Sequence, residues 1–332
     1  MNRLTQSSLY LLLFVCAGAF GITGCHKNQT SAASSGSASQ EQGPDPAAAN
    51  LAPGENGGSA PSGASYTTEN APAPSEGSAQ DDSDYNEQAT ETAPDPPPAL
   101  PDYSQPPDPG DGYIWTPGYW GWASTGYYWV PGAWVEPPYE GALWTPGYWG
   151  SSGGRYMFYP GHWGTHIGFY GGVNYGFGYG GTGYEGGYWN GGHFLYNRDY
   201  NNVNVNVVHN VYTYHVNRAA NTSRVSFHGG SQGVQRHPEP QEKAAWHEPV
   251  APRMSTQVQH AKSAQSNRGQ FYSANHGRPP SAAVSKPVAA EHNVRPAMPR
   301  APAPRASAPK APERPARPQE KPAPGNQRDD RH

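Results

Sequence analysis

The sequence predicts a mostly disordered chain with one small all-β region, an antiparallel meander-like aromatic repeat, and no large globular core. The first observation is composition: 41 glycines and 37 prolines occur in 332 residues, and only 14% of residues are charged. Average usage of glycine and proline together is about 12%. The second observation is a tryptophan motif that recurs at a nearly fixed step. The third is charge segregation, which the net charge of −4 conceals.

Residues 1–24 are predicted to be a secretory signal peptide. Arg3 supplies the positive start, and an apolar run follows at residues 9–20. A membrane-spanning helix needs about 20 such residues, so this run is too short to be one. The run ends in Ile22-Thr23-Gly24-Cys25, which resembles the lipobox of bacterial lipoproteins. In a lipobox the cysteine is lipidated and becomes the mature N-terminus.

Cys25 is therefore the predicted lipidation site, and its covalent lipid is the one attached group that we expect. The other cysteine, Cys16, lies in the apolar run, so processing would leave no intrachain disulfide. Acyl chains on Cys25 would anchor the protein to a membrane. By resemblance to lipoprotein sorting rules, His26 favours the outer membrane, with the chain facing the periplasm or the cell surface.

Residues 25–112 are predicted to be a disordered spacer. Residues 26–112 hold 14 acidic side chains and one basic side chain, Lys27. The segment is rich in serine, alanine, glycine and proline, and it contains few large apolar side chains. Such a composition buries too little surface to offset the entropy of ordering the chain.

Residues 113–167 contain four copies of a W-x-P-G-x-W pattern. Copies begin at Trp115, Trp129 and Trp144, and a fourth begins with Phe158 in the tryptophan position. Proline followed by glycine suits a type II turn, which would place the two aromatic residues of one copy opposite each other on paired strands. A second turn at residues 123–126 would lead to the next copy. The result is an antiparallel meander.

These repeats resemble the YXWGXW (WXXGXW) repeat proteins of Gram-negative bacteria, which are lipoproteins or exported proteins. The resemblance implies a place in the cell envelope and no defined chemistry. It extends into residues 168–230, a region rich in glycine and tyrosine and then in asparagine and valine. There the alternation of Val203, Val205 and Val207 with asparagine predicts a strand over residues 202–212.

No catalytic or cofactor-binding pattern emerges, so we expect a non-enzymatic protein without a metal. Residues 176–181 match G-x-G-x-x-G, but no apolar strand precedes them and the glycines that follow cannot continue as a helix. The H-E-x-x-H pattern is absent from the sequence. Nucleic acid is not an expected partner, because the aromatic zone of this exported chain is near neutral.

The thirty aromatic residues of the segment 113–216 leave three roles open. They form the core and pack against further copies of the chain, or an exposed row binds another envelope protein or matrix, or that row stacks on a glycan such as peptidoglycan. In the last two roles the contacts would come from the repeat aromatics: Trp115, Trp120, Trp129, Trp134, Trp144, Trp149, Trp163, Tyr113, Tyr127 and Tyr156.

Residues 231–332 are predicted to be a disordered basic tail rich in proline and alanine. The proline density from residue 278 to residue 324 favours an extended polyproline II conformation. Three roles remain open for this tail. It acts as a spacer, it binds anionic envelope polymers, or it binds the acidic spacer of its own chain.

Overall fold

The computed structural model describes residues 43–54, 89–216 and 223–297. The predicted signal peptide, Cys25, most of the acidic spacer and the tail beyond residue 297 lie outside these ranges. None of the helices in the described ranges is long and apolar enough to cross a membrane. The described chain is mostly β-strand with a few short helices, which confirms the predicted fold class.

The strands are named in chain order. They are β1 (Glu91–Ala93), β2 (Ile114–Thr116), β3 (Tyr119–Ala123), β4 (Gly126–Val130), β5 (Gly132–Val135), β6 (Leu143–Thr145), β7 (Tyr148–Ser152), β8 (Arg155–Tyr159), β9 (His162–Gly164), β10 (Gly187–Asn190), β11 (His193–Asn197), β12 (Val211–Tyr212), β13 (Phe227–His228), β14 (Ala251–Pro252) and β15 (Ala283–Val288). The α-helices are α1 (Pro240–Ala245), α2 (Ser255–Ser266) and α3 (Tyr272–Asn275).

The repeat region forms two bent hairpins built on one plan. In the first, β3 pairs with β4 at the tip and β2 pairs with β5 at the base, both antiparallel. In the second, β7 pairs with β8 and β6 pairs with β9 in the same way. The first tip is the turn predicted at residues 123–126. The second tip has Gly153 and Gly154 at φ of 58° and 76°, as a two-residue type I′ turn requires.

The Pro-Gly pairs are corners and not hairpin turns, so the predicted type II turn is wrong. Each pair lies between two consecutive strands that enter different sheets: β2 joins β5 and β15, whereas β3 joins β4. None of the four motif glycines has the positive φ that the third residue of a type II turn needs. Each motif therefore bends one arm of a hairpin and does not close a hairpin.

Segments on both sides of the repeats complete these sheets. Strand β1 pairs with β8, β13 with β7, β14 with β9, and β15 with β5. Two predicted boundaries are therefore wrong, because residues 89–112 are part of the fold and not of a disordered spacer, and residues 231–297 are part of it and not of a disordered tail. The physical reason is that the edges of short hairpins leave backbone N–H and C=O groups that another segment can satisfy.

The main core is a mostly aromatic cluster that extends from Ala93 to Met254, and a second, smaller cluster lies where Ala261 and Ala264 of α2 pack on Tyr128 and Val130. The main core draws on more of the chain than the sequence led us to expect. The predicted strand over residues 202–212 is reduced to the two residues of β12. Val205 and Val207 lie in a turn and are 45% and 47% exposed. The turn forms because Asn204 accepts local hydrogen bonds through its side chain and its carbonyl oxygen, as asparagine does in turns.

Candidate functional site

The repeat tryptophans are buried, so the predicted exposed stacking row is wrong. All seven are at most 5% exposed. Of the three tyrosines predicted beside them, Tyr127 is 6% exposed, while Tyr113 and Tyr156 are half-buried. Of the three roles that the sequence left open, these residues fit that of a core.

The aromatic residues pair across the strands, with partners in neighbouring motifs and not within one motif. Ring centroids in each pair are 5.1–5.4 Å apart and the rings are tilted or edge to face, the geometries that aromatic rings prefer. The pairs are Trp115 with Trp134, Trp120 with Trp129, Trp144 with Trp163, and Trp149 with Phe158. Two motifs thus build one hairpin with two aromatic layers.

The motif glycines are needed because the two arms of each hairpin touch at the corners. A Cβ atom at Gly132 would lie 2.6 Å from Cζ2 of Trp115 and 3.1 Å from the backbone nitrogen of Gly118. In the second hairpin, a Cβ atom at Gly161 would lie 2.7 Å from the carbonyl oxygen of Thr145. The requirement for glycine at these positions is therefore close approach of backbone and ring, not a left-handed φ.

A proline-rich segment at residues 94–109 supplies acceptors for the buried aromatic donors. Trp120 and Trp134 donate through Nε1 to the carbonyl oxygens of Ala99 and Pro106, at 3.2 and 2.9 Å. The hydroxyl of Tyr127 donates to the carbonyl oxygen of Asp95 at 2.7 Å. Proline has no N–H but keeps its carbonyl, so a proline-rich segment offers acceptors with few donors of its own to satisfy.

The C-terminal segment supplies partners on another side of the hairpins. Trp129 donates through Nε1 to the carbonyl oxygen of Ala282 at 2.9 Å, and Trp163 donates to Oε1 of Gln257 at 2.9 Å. Gln270 donates through Nε2 to the carbonyl oxygen of Trp129 at 3.1 Å. Buried indole N–H groups are costly to leave without a partner. These contacts therefore tie residues 257–282 to the repeat core.

The glycine-rich segment joins the two hairpins. The hydroxyl of Tyr179 lies 2.8 Å from the carbonyl oxygen of Trp144 and 3.4 Å from that of Trp115, which occupy equivalent positions in the two hairpins. Tyr175 donates to the carbonyl oxygen of Gly147 at 2.7 Å. The G-x-G-x-x-G pattern lies in this joint. Gly178 there has a φ of 93°, and its backbone is packed against that of Gly186.

The comparisons with known proteins agree with this plan. The profile of the WXXGXW repeat family matches residues 110–135 and 143–163, so the chain contains two WXXGXW repeats. Each matched range spans two of the tryptophan motifs and corresponds to one bent hairpin. No curated protein and no solved structure matches the chain. The aromatic, β-rich repeat structure fits a structural or interaction role.

A small cleft is the feature that sequence reasoning missed. It has a volume of about 210 Å³ and opens beside Gly118, between the proline-rich segment and the glycine-rich segment. Its lining includes Asp102, Tyr103, Phe177 and Arg224. These residues are distant in sequence. Asp102 and Tyr103 belong to the predicted spacer, and Phe177 and Arg224 belong to the region 168–230. No local pattern links them.

Asp108 is the buried carboxyl group with the clearest electrostatic consequence. It is 3% exposed, its Oδ1 accepts from the backbone N–H of Gly110, and its Oδ2 has no partner in the described chain. Burial, together with the neighbouring charge of Asp111, raises the pKa of Asp108 to about 7. The native state therefore holds a proton at a pH where an unfolded aspartate, with a pKa of about 3.9, has lost it.

Stability is expected to fall as the pH rises from about 4 to 7, because the folded chain binds more protons than the unfolded chain in that window. The contribution of Asp108 is at most about 4 kcal/mol at 1.36 kcal/mol per pKa unit. Burial also raises the pKa values of Glu91 and Glu242, which act in the same direction. Urea unfolding at pH 4.5 and 7.5 should show a smaller loss for Asp108→Asn than for the wild type. The exposed Asp102→Asn is the control, and equal losses in all three proteins would contradict this assignment.

Proposed function

We propose that this protein is a non-enzymatic cell-envelope lipoprotein with a structural or interaction role. The observation that carries the proposal is the burial of the repeat tryptophans: all seven rings pack within the fold, and five of them donate their N–H to groups of the same chain. Because the motif residues pack inside the fold, they support a rigid body. Such a body can be anchored and presented to partners. The repeat family match supports the same role.

The proposed anchor is a lipid on Cys25 at the outer membrane, with the chain facing the periplasm or the cell surface. The support is the sequence Ile22-Thr23-Gly24-Cys25 after an apolar run, together with the absence of any further cysteine downstream. Acyl chains give stable anchoring where two or more are attached. The proposed partners are the membrane through this lipid, another envelope protein, or a second copy of the chain.

The proposed absence of catalysis has its support in the chemistry of the core. Its buried polar groups are mainly indole, phenol and amide groups that bond to backbone atoms. Within residues 43–54, 89–216 and 223–297, no three His, Cys, Asp or Glu side chains come together as a metal site would require. Nucleic acid is not among the proposed partners.

The test of the anchor is a matched pair of cysteine variants expressed in a Gram-negative host. Cys25→Ser is expected to abolish incorporation of radiolabelled palmitate and to leave the protein unprocessed or in the soluble fraction. Cys16→Ser removes the other thiol and is expected to behave as the wild type. If Cys25→Ser still incorporated palmitate and stayed with salt-washed outer membranes, the proposed anchor would be wrong.

A further inference from the structure

We propose that the cleft lined by Tyr103 and Phe177 binds a single sugar ring, with Asp102 and Arg224 holding its hydroxyl groups. This inference goes beyond the proposed structural role and does not depend on the lipid at Cys25. It also differs from glycan stacking on the repeat tryptophans, because those rings are buried whereas these two are only partly buried.

The walls of the cleft are two aromatic rings that are only partly buried. The ring centroids of Tyr103 and Phe177 are 5.2 Å apart with a tilt of 45°, so the two rings contact each other and form one side of the cleft. The hydroxyl of Tyr103 is fixed because it accepts from the backbone N–H of Gly118 at 3.2 Å. The tilted rings offer an apolar surface to the C–H face of a flat, saturated ring.

Phe177 is held in an unusual backbone conformation at this place. Its φ is 52°, in the left-handed region that bulky side chains rarely adopt. The conformation is enforced by two hydrogen bonds, from the N–H of Tyr175 to the carbonyl oxygen of Tyr179 and from the N–H of Tyr179 to that of Gly176. Strained residues of this kind concentrate at ligand clamps and active sites. Here the strain directs the ring of Phe177 to the cleft.

Two charged side chains at the cleft, Asp102 and Arg224, can make further hydrogen bonds. Asp102 is exposed and makes no hydrogen bond or ion pair in the described chain. Arg224 donates through Nε to the carbonyl oxygen of Leu100 at 2.6 Å, and its two terminal amino groups have no partner among the described residues. A carboxylate accepts and a guanidinium donates, whereas a sugar hydroxyl does both. The two charges together therefore suit a ring with several hydroxyl groups.

The volume sets the size of the ligand. The cleft has a volume of about 210 Å³. Sites for drug-sized ligands and cofactors occupy about 300–1,000 Å³, so this cleft suits a smaller ligand. One six-membered sugar ring does, as a monomer or as one unit of a longer glycan. A purely apolar ligand would desolvate Asp102 and Arg224 without compensation.

The test is saturation-transfer NMR with the full chain and three separate probes: glucose, N-acetylglucosamine and glucuronic acid. At least one probe is expected to receive saturation at its ring C–H protons, with a Kd of about 1 mM, typical of a small ligand. Phe177→Gly, which removes the wall and relieves the backbone, and Asp102→Asn, which removes an exposed charge, are the test variants. Tyr272→Ala removes an exposed aromatic ring outside the cleft and is the control.

A decrease of at least about threefold in the transfer signal for Phe177→Gly or Asp102→Asn, with the Tyr272→Ala signal unchanged, would support the proposal. The Asp102→Asn variant keeps the test decisive if Phe177→Gly folds poorly, because Asp102 makes no contact on which folding depends. No transfer to any of the three sugars, equal signals in all variants, or an equal loss in the control would each overturn it.

Discussion

Gly161→Ala is expected to destabilise the protein by about 3 kcal/mol, because it forces a methyl group into a corner already filled by backbone. The new Cβ atom would lie 2.7 Å from the carbonyl oxygen of Thr145 and 2.8 Å from the backbone nitrogen of Gly147, and it would overlap the ring of Trp144. The carbonyl of Thr145 belongs to β6 and cannot move without disturbing the pairing of Thr145 with His162 in β9. The two arms of the hairpin must then separate.

Gly180→Ala is the matched control for this substitution. Gly180 is exposed, has no heavy atom near the position of an added Cβ, and has no positive φ. Its substitution is expected to change the free energy of unfolding by less than about 0.5 kcal/mol. Urea denaturation followed by circular dichroism measures both variants. Similar stabilities for Gly161→Ala and Gly180→Ala would show that the arms do not meet at the motif glycines.

Ending the chain at residue 222 is expected to abolish cooperative unfolding. The truncation removes β13, β14 and β15, which pair with β7, β9 and β5. It also takes away the acceptors of the indole N–H groups of Trp129 and Trp163. Each lost partner costs about 1–3 kcal/mol, and the apolar surface uncovered beside it adds to this. A domain of ordinary stability, about 5–15 kcal/mol, does not tolerate that loss.

The control is a chain that ends at residue 297, which keeps every one of these contacts. Both truncated chains can be compared by differential scanning calorimetry. The chain ending at 297 is expected to give one sharp heat-absorption peak, and the chain ending at 222 is expected to give none. A sharp peak of unchanged midpoint from the shorter chain would mean that the repeats fold without the C-terminal segment.

The strand content and the repeat could be predicted from the sequence, but the way in which the motifs combine could not. The tip turn at residues 123–126 follows from local chemistry, and so does the antiparallel pairing. The motifs recur at a nearly constant spacing, which does not reveal that they combine in pairs. Trp115 faces Trp134 of the next motif and not Trp120 of its own. Pro-Gly is equally compatible with a turn and with a corner. Whether it forms a turn or a corner depends on packing against an aromatic ring of the neighbouring motif, which a local sequence rule does not include.

The sequence predicts disorder in the flanking segments because they contain few large apolar side chains. The segment 94–109 contributes few of these, but its carbonyl oxygens accept from Trp120, Tyr127 and Trp134. A core rich in tryptophan and tyrosine carries buried donors, and those donors require acceptors. That need makes a proline-rich segment part of the fold. The cleft could not be predicted from the sequence for a related reason: its residues come together only when these segments pack on the hairpins.

The central claim is that the repeat tryptophans form the core of the protein and not a binding surface. Acrylamide quenching of tryptophan fluorescence tests it most directly, in a variant in which the three partly exposed residues Trp122, Trp189 and Trp246 are replaced by phenylalanine. The seven remaining indoles are at most 5% exposed. We therefore expect blue-shifted emission and quenching many-fold weaker than that of free tryptophan, with both differences lost in urea. Emission and quenching close to those of free tryptophan in the native protein would contradict the claim.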